Sequence, residues 1–260
     1  MSATRTPALF AGHGSPMNAI EDNRWSRALR DLGASWPRPE AVLAISAHWY
    51  IPGTAVTANA HPPTIHDFGG FPRELYEVQY PAPGDPGLAR EVAEALGGDS
   101  VPLSLEWGLD HGTWSVLCHL FPKADVPVVQ VSVDLRAPPM KHVEIGRALA
   151  PFRDRGVMIF GTGNVTHNLG DAFRRMHTGD VTTPAWAADF DAAVVRALEA
   201  GDSEALARLI ESAEGRKSHP TPDHYLPLLY VAGACEGEAP TFPIEGFDLG
   251  SLSMRSVRFG

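Results

Sequence analysis

The chain has 260 residues, 21 Lys and Arg against 31 Asp and Glu, a formal net charge of −10, and 44% hydrophobic against 20% charged residues. This is the composition of a globular chain long enough for a large core, and its acidic balance argues against nucleic acid and anionic membrane surfaces as partners, because a polyanion gains nothing from a net-negative surface. Two cysteines, Cys118 and Cys235, far apart in sequence, exclude a disulfide framework and a CxxC zinc site and suit a reducing, cytoplasmic setting. In chain order, the apolar pattern predicts a strand over residues 7–11 and a helix over 23–32. Strands follow over 41–46 and 54–58, then helices over 86–96 and 114–120. A strand over 127–133, a helix over 140–152 and a strand over 157–161 come next. Helices over 186–200, 203–211 and 224–234 and a late strand near 251–259 complete the series.

PALFA, AVLAIS and VMIFG are continuous apolar runs, as expected of strands buried on both faces of a parallel sheet. Their alternation with helical segments predicts one α/β domain over residues 1–260, with helices flanking a largely parallel sheet. No apolar run reaches the roughly 20 residues that span a bilayer, and MSATRTPALFAGHGSP is too briefly apolar for a signal peptide. Residues 51–85 are rich in Pro and Gly and read as an ordered surface excursion, either a plain connection or the wall of a substrate cleft.

Of the 11 histidines, three share a position type. His13, His48 and His167 each sit just beyond a predicted buried strand, on the rim where open α/β sheets bind ligands. His224 stands at a helix entry behind Pro220 and Pro222, and His111 precedes a helix expected to open at Thr113 or Trp114. A group of neutral imidazoles suits Fe(II), Zn(II) or Cu rather than Mg or Ca. Asp110, Asn164, Asn168 and Asp223 are candidates to orient the rings. His61, His119, His142 and His177 read as ordinary packed or surface residues, with His142 and His177 in solvated surroundings. His66 and His219 lie in Pro-rich loops that can wall a cleft. Trp49, Tyr50, Phe68 and Phe71 read equally as core or as a face for a planar substrate. GTGN at 161–164 lacks the spacing of a phosphate loop, and GHGS at 12–15 is not a nucleophile elbow.

The blocks LFAGHGSPMNAIEDN, ISAHWY, PPTIHDFGGFP, WGLDHGTWSVL, GTGNVTHNL, TPDHYLPLLYVAGA and GSLSMRSV occur in this order. Together they closely resemble the class III extradiol ring-cleavage dioxygenases, in the 4,5-DOPA extradiol dioxygenase-like subgroup, from about Pro7 to Gly260. The resemblance implies a mixed central sheet and a mononuclear non-haem metal at the carboxyl ends of the strands. It implies His13, His48 and His224 as metal ligands, with Fe(II) as the active ion and Zn(II) as an alternative occupant. It implies His167 as acid/base, in some members a fourth ligand, and His111 as a contact to substrate or oxygen. His66 and Tyr225 are further expected substrate contacts, and Arg73 reads first as a surface residue and second as a candidate for a substrate carboxylate. The implied reactants are a catechol and O2, and a homo-oligomer is left open. Relatives that cleave protocatechuate have a glutamate where His224 aligns, so this site is one charge more positive. Two rival readings are a zinc-dependent hydrolase or lyase using metal-bound hydroxide, and a non-catalytic metal-binding module on the same fold.

Overall fold

The three continuous apolar runs become neighbouring strands of one sheet in a computed structural model describing residues 5–260. The strands are β1 (Ala8–Gly12), β2 (Ala41–Ile51), β3 (Val56–Thr57), β4 (Leu103–Ser104) and β5 (Val128–Asp134), then β6 (Val157–Gly163), β7 (Pro240–Ile244), β8 (Phe247–Asp248), β9 (Leu252–Ser253) and β10 (Ser256–Phe259). The helices are α1 (Arg24–Ser35), α2 (Arg73–Tyr76), α3 (Pro86–Leu96), α4 (His111–Leu120) and α5 (Pro139–Leu149), then α6 (Leu169–Thr178), α7 (Ala185–Glu199), α8 (Ser203–Leu209), α9 (Ala213–Ser218) and α10 (Leu226–Ala234).

The main sheet runs β4-β3-β5-β2-β6-β1-β10-β7. Its centre, β5-β2-β6-β1, is parallel, while β10 and β7 are antiparallel additions and β3 runs antiparallel to β5. The single α/β domain with a mixed, largely parallel sheet is therefore as expected. Alternate side chains leave the strands on opposite faces. Phe10, Leu43, Ile45, Val131 and Ile159 join one core layer beneath α3, α5, α7, α8 and α10. Leu9, Val42, Ala44, Met158 and Phe160 join the other beneath α1 and α4. Both faces being covered explains why these strands read as unbroken apolar runs.

Six elements escaped the sequence pattern: the short α2, β4 and β8, and α6, α9 and β7. Helix α6 carries Leu169, Phe173 and Met176 on an exposed side, so its apolar spacing does not mark a buried face. Helix α9, AEGRKS, has no apolar periodicity at all. Strand β7 contains Pro240 and Pro243, which an edge strand tolerates because its outer N–H positions need no partner. The expected strand near 251–259 is divided into β9 and β10 by Met254 and Arg255. Arg255 turns inward to a buried pair with Asp191 of α7, 2.6 Å between Nη2 and Oδ2.

Candidate active site

Each histidine reaches the carboxyl rim of the parallel strands by its own local device. His13 follows β1, and its backbone N–H donates to Gly163 O at 2.9 Å, so β1 and β6 end together. His48 lies inside β2 rather than beyond it, which corrects the sequence reading. The β2–β6 ladder stops at Ser46↔Thr162, and against β5 the chain advances five residues from Ile45 to Tyr50 while its partner advances two, from Val131 to Val133. Such a bulge re-aims side chains. His224 precedes α10 instead of opening it, and its carbonyl accepts from Asn164 N–H at 3.0 Å. Helix α4 starts at His111, two or three residues earlier than expected, because Asp110 caps it by accepting from Thr113 N–H at 3.1 Å.

The structure brings His13, His48 and His224 together: one ring nitrogen from each lies within 4.8 Å of the others. The Thr162 hydroxyl donates to Gly112 O at 2.8 Å, so it can only accept from His13 Nδ1, 2.9 Å away. His224 Nδ1 donates to Asp223 Oδ2 at 2.7 Å, and His48 Nδ1 lies 3.3 Å from Asp67 Oδ2. His13 and His224 therefore carry their proton on Nδ1 and leave Nε2 with a lone pair. His13 Nε2 and His48 Nε2 face each other at 3.2 Å, close enough for one cation to meet both rings. Burial holds the His13 and His224 pKa values well below the usual imidazole value, and the neighbouring imidazoles add to this. His48 is pushed down to about 4, again chiefly by burial. Neutral nitrogens converging in a buried pocket fit a resident metal ion of borderline hardness.

His167 follows β6 and stacks flat on His224, ring centroids 3.4 Å apart and planes at 6°. It is not in the group of mutually close ligating nitrogens. Among the described residues its ring nitrogens have no hydrogen-bond partner in the protein. Burial pushes its pKa to about 3, helped by His219, so it stands neutral. Its loop is strapped by the GSLSMRSV segment: Thr166 Oγ1 donates to Ser251 O at 2.7 Å, and Asn164 Nδ2 to Ser253 O at 2.8 Å. His111 packs on His48 with centroids 3.8 Å apart. Phe68 meets the edge of His111 at 5.4 Å and Phe71 at 5.3 Å, forming an aromatic wall beside the cluster.

Other expectations are corrected. Tyr225 is fully buried, and its hydroxyl donates to Leu206 O at 2.8 Å, because a buried phenol must find a partner; it packs on Phe190 and His219 in the core. His66 lies behind Phe68, its Nε2 bonded to Val78 O at 3.0 Å, so it holds the wall rather than reaching the cluster. Arg73, expected first as a surface residue, is 89% exposed and paired with Glu77. Asn168 caps α6, accepting from Asp171 N–H at 3.0 Å, and orients no ring of the cluster. His142 is fully buried, not solvated, with Nδ1 on the Tyr230 hydroxyl at 3.1 Å. Thr162 and Asp67 were missed. The only hint of either was adjacency: Thr162 in the GTGN turn, Asp67 directly after His66.

The chain matches the family described as the catalytic LigB subunit of aromatic ring-opening dioxygenase over residues 9–260. It belongs to that family. The chain is 49% identical to a 4,5-DOPA dioxygenase extradiol of Escherichia coli K12, covering 100% of this chain and 97% of that protein. It is 37% identical to one from Beta vulgaris, covering 96% and 95%. A crystal structure of an uncharacterised Escherichia coli K12 protein superposes with a TM-score of 0.85 at 44% identity, covering 98% of this chain and all of that one. This LigB-family chain is an extradiol ring-cleaving dioxygenase, an enzyme acting on a small aromatic molecule and O2. The family is metal-dependent, and the three-imidazole group of this member suits such an ion.

Proposed function

We propose that this dioxygenase opens a DOPA-like catechol at the 4,5 bond, with Fe(II) held by Nε2 of His13, His48 and His224. The observation that carries the reading is the convergence of one ring nitrogen from each of His13, His48 and His224, with a separate oxygen close behind each Nδ1. DOPA is the first substrate to test because the relatives at 49% and 37% identity carry it in their names. When bound, such an ion supplies electron exchange between catechol and dioxygen and acidifies the catechol hydroxyls. The remaining work falls to the chain. His167, stacked on His224 with its ring nitrogens unengaged, takes the catechol proton on a ring nitrogen and returns it to the leaving oxygen. His111, with Nδ1 against Asp67, leaves Nε2 to accept from a substrate hydroxyl. Phe68 and Phe71 offer the ring an apolar face and keep water from it. Two free thiols, one of them buried, support a reducing cytoplasm as the setting.

The test loads the metal-free chain with Fe(II) or Zn(II) under anaerobic conditions, then offers a panel of catechols with O2. Oxygen uptake and a yellow ring-opened product are expected with Fe(II) only. His13→Ala, His48→Ala and His224→Ala should each lose stoichiometric metal while keeping the fold. Full activity with Zn(II), or ring opening without O2, would favour the hydrolase reading. No uptake across the panel would sink the proposal, and metal retained by all three variants would remove the ligand assignment.

A further inference from the structure

Asp67 lies on the loop between β3 and α2, with its side chain 17% exposed. Its Oδ1 accepts the backbone N–H of His111 at 2.9 Å and also lies 2.9 Å from His111 Nδ1. Its Oδ2 lies 3.3 Å from His48 Nδ1. His111 Nδ1 is buried with no well-aligned hydrogen-bond acceptor, so the carboxylate approaches it closely without a formed hydrogen bond. The loop itself is fixed. Leu109 N–H donates to Pro63 O at 2.8 Å, Ile65 N–H to Leu109 O at 2.7 Å, and Trp114 Nε1 to Ile65 O at 2.8 Å.

We infer that Asp67 is a shared positioning residue, one carboxylate that sets the tautomer of both His48 and His111. The inference rests on the metal-site reading above. A lone pair on either Nδ1 would face a negative oxygen, whereas a proton there is attracted to it. Both rings are thus held as Nδ1–H, with Nε2 of His48 turned to the metal group and Nε2 of His111 left for the substrate. His13 and His224 each have a private brace, Thr162 and Asp223. Asp67 alone couples a metal-holding ring to a substrate-holding ring, and the neighbouring Phe68 brings the cleft wall into the same unit.

Histidine-labelled full-length chain, metal-free and zinc-loaded, reports the tautomers through long-range 1H–15N correlations. Nδ1–H is expected for both His48 and His111 in the metal-free wild type; Nε2–H on either ring overturns the inference with no variant needed. Asp67→Asn, which turns one N–H donor toward a ring, should switch at least one ring to Nε2–H. It should also weaken zinc affinity roughly 10–100-fold with circular dichroism unchanged. Unchanged tautomers and affinity in that variant overturn it, as does a second bound zinc lost in Asp67→Asn, which would make His48, Asp67 and His111 a cation site of their own. Failure of the wild type to bind zinc at all would instead overturn the metal-site reading, and the metal-free tautomers would still decide the role of Asp67.

Discussion

His13 and His167 differ in what stands behind their rings, and that difference separates their work. His13 Nδ1 is bound by Thr162, itself bound to Gly112 O, so the ring has one fixed orientation and one free lone pair. His167 is held only through its backbone, by Ser218 O at 2.9 Å, and by the face of His224. A ring fixed at Nδ1 makes a ligand; a ring with both nitrogens unengaged makes a proton carrier. His167→Gln should therefore retain metal within the wild-type stoichiometry and lose about 10²–10⁴-fold in turnover, read by metal analysis beside oxygen uptake. Turnover within twofold of wild type would take His167 out of the mechanism. The histidines were legible in the sequence because strand ends and proline-marked helix entries give them recognisable positions. Asp67 and Thr162 were not, because a carboxylate in a loop or a threonine at a strand end has no period or spacing to mark its target.

At the scale of elements, the site depends on β2 and α4 approaching more closely than any side chain permits. A Cβ on Gly112 would lie 2.7 Å from both His48 Cδ2 and Ser46 Oγ, and one on Gly163 would lie 2.1 Å from His224 O. Gly112 lets the first turn of α4 press against the His48 ring, and Gly163 lets the end of β6 press against the His224 backbone. Gly112→Ala should cost about 1–3 kcal/mol by overpacking. Because the clash falls on His48, zinc affinity should drop about tenfold or more, beyond what the loss in melting temperature accounts for. Titration calorimetry beside thermal unfolding checks this, and unchanged affinity would show that His48 is not positioned by this contact. The buried helices and central strands were readable from periodicity. The β2 bulge was not, since AVLAISAHWY carries no residue that dictates a register shift; the pairing of β2 with β5 creates it.

Taken whole, the molecule buries several imidazoles that must remain neutral. His142 and His219 are pushed down to about 4, both chiefly by burial. In the unfolded chain they titrate near 6.5. The unfolded state therefore binds more protons between these values, and the stability they contribute is complete above pH 6.5 and is lost as pH falls toward 4. His142 alone should account for about 2–4 kcal/mol across that window. The metal-free site histidines, shifted in the same direction, steepen the loss. Urea unfolding of the metal-free chain at pH 7, 5.5 and 4.5 measures it, and a flat profile would contradict the burial assigned to these rings.

The linear chain by itself determined the α/β class, the parallel centre of the sheet and the five imidazoles that meet at its rim. Those properties are written in hydrophobic runs, helix-entry residues and recognisable blocks, all local to a few positions. Only the tertiary structure decided which atom stands behind each Nδ1, that Tyr225 faces the core, and that one carboxylate serves two rings. Thr162 is 149 positions from His13 and Asp67 is 44 from His111. Such pairs are made by strand register and loop packing, and a protein interior fixes hydrogen-bond partners through distance and direction, neither of which a sequence carries.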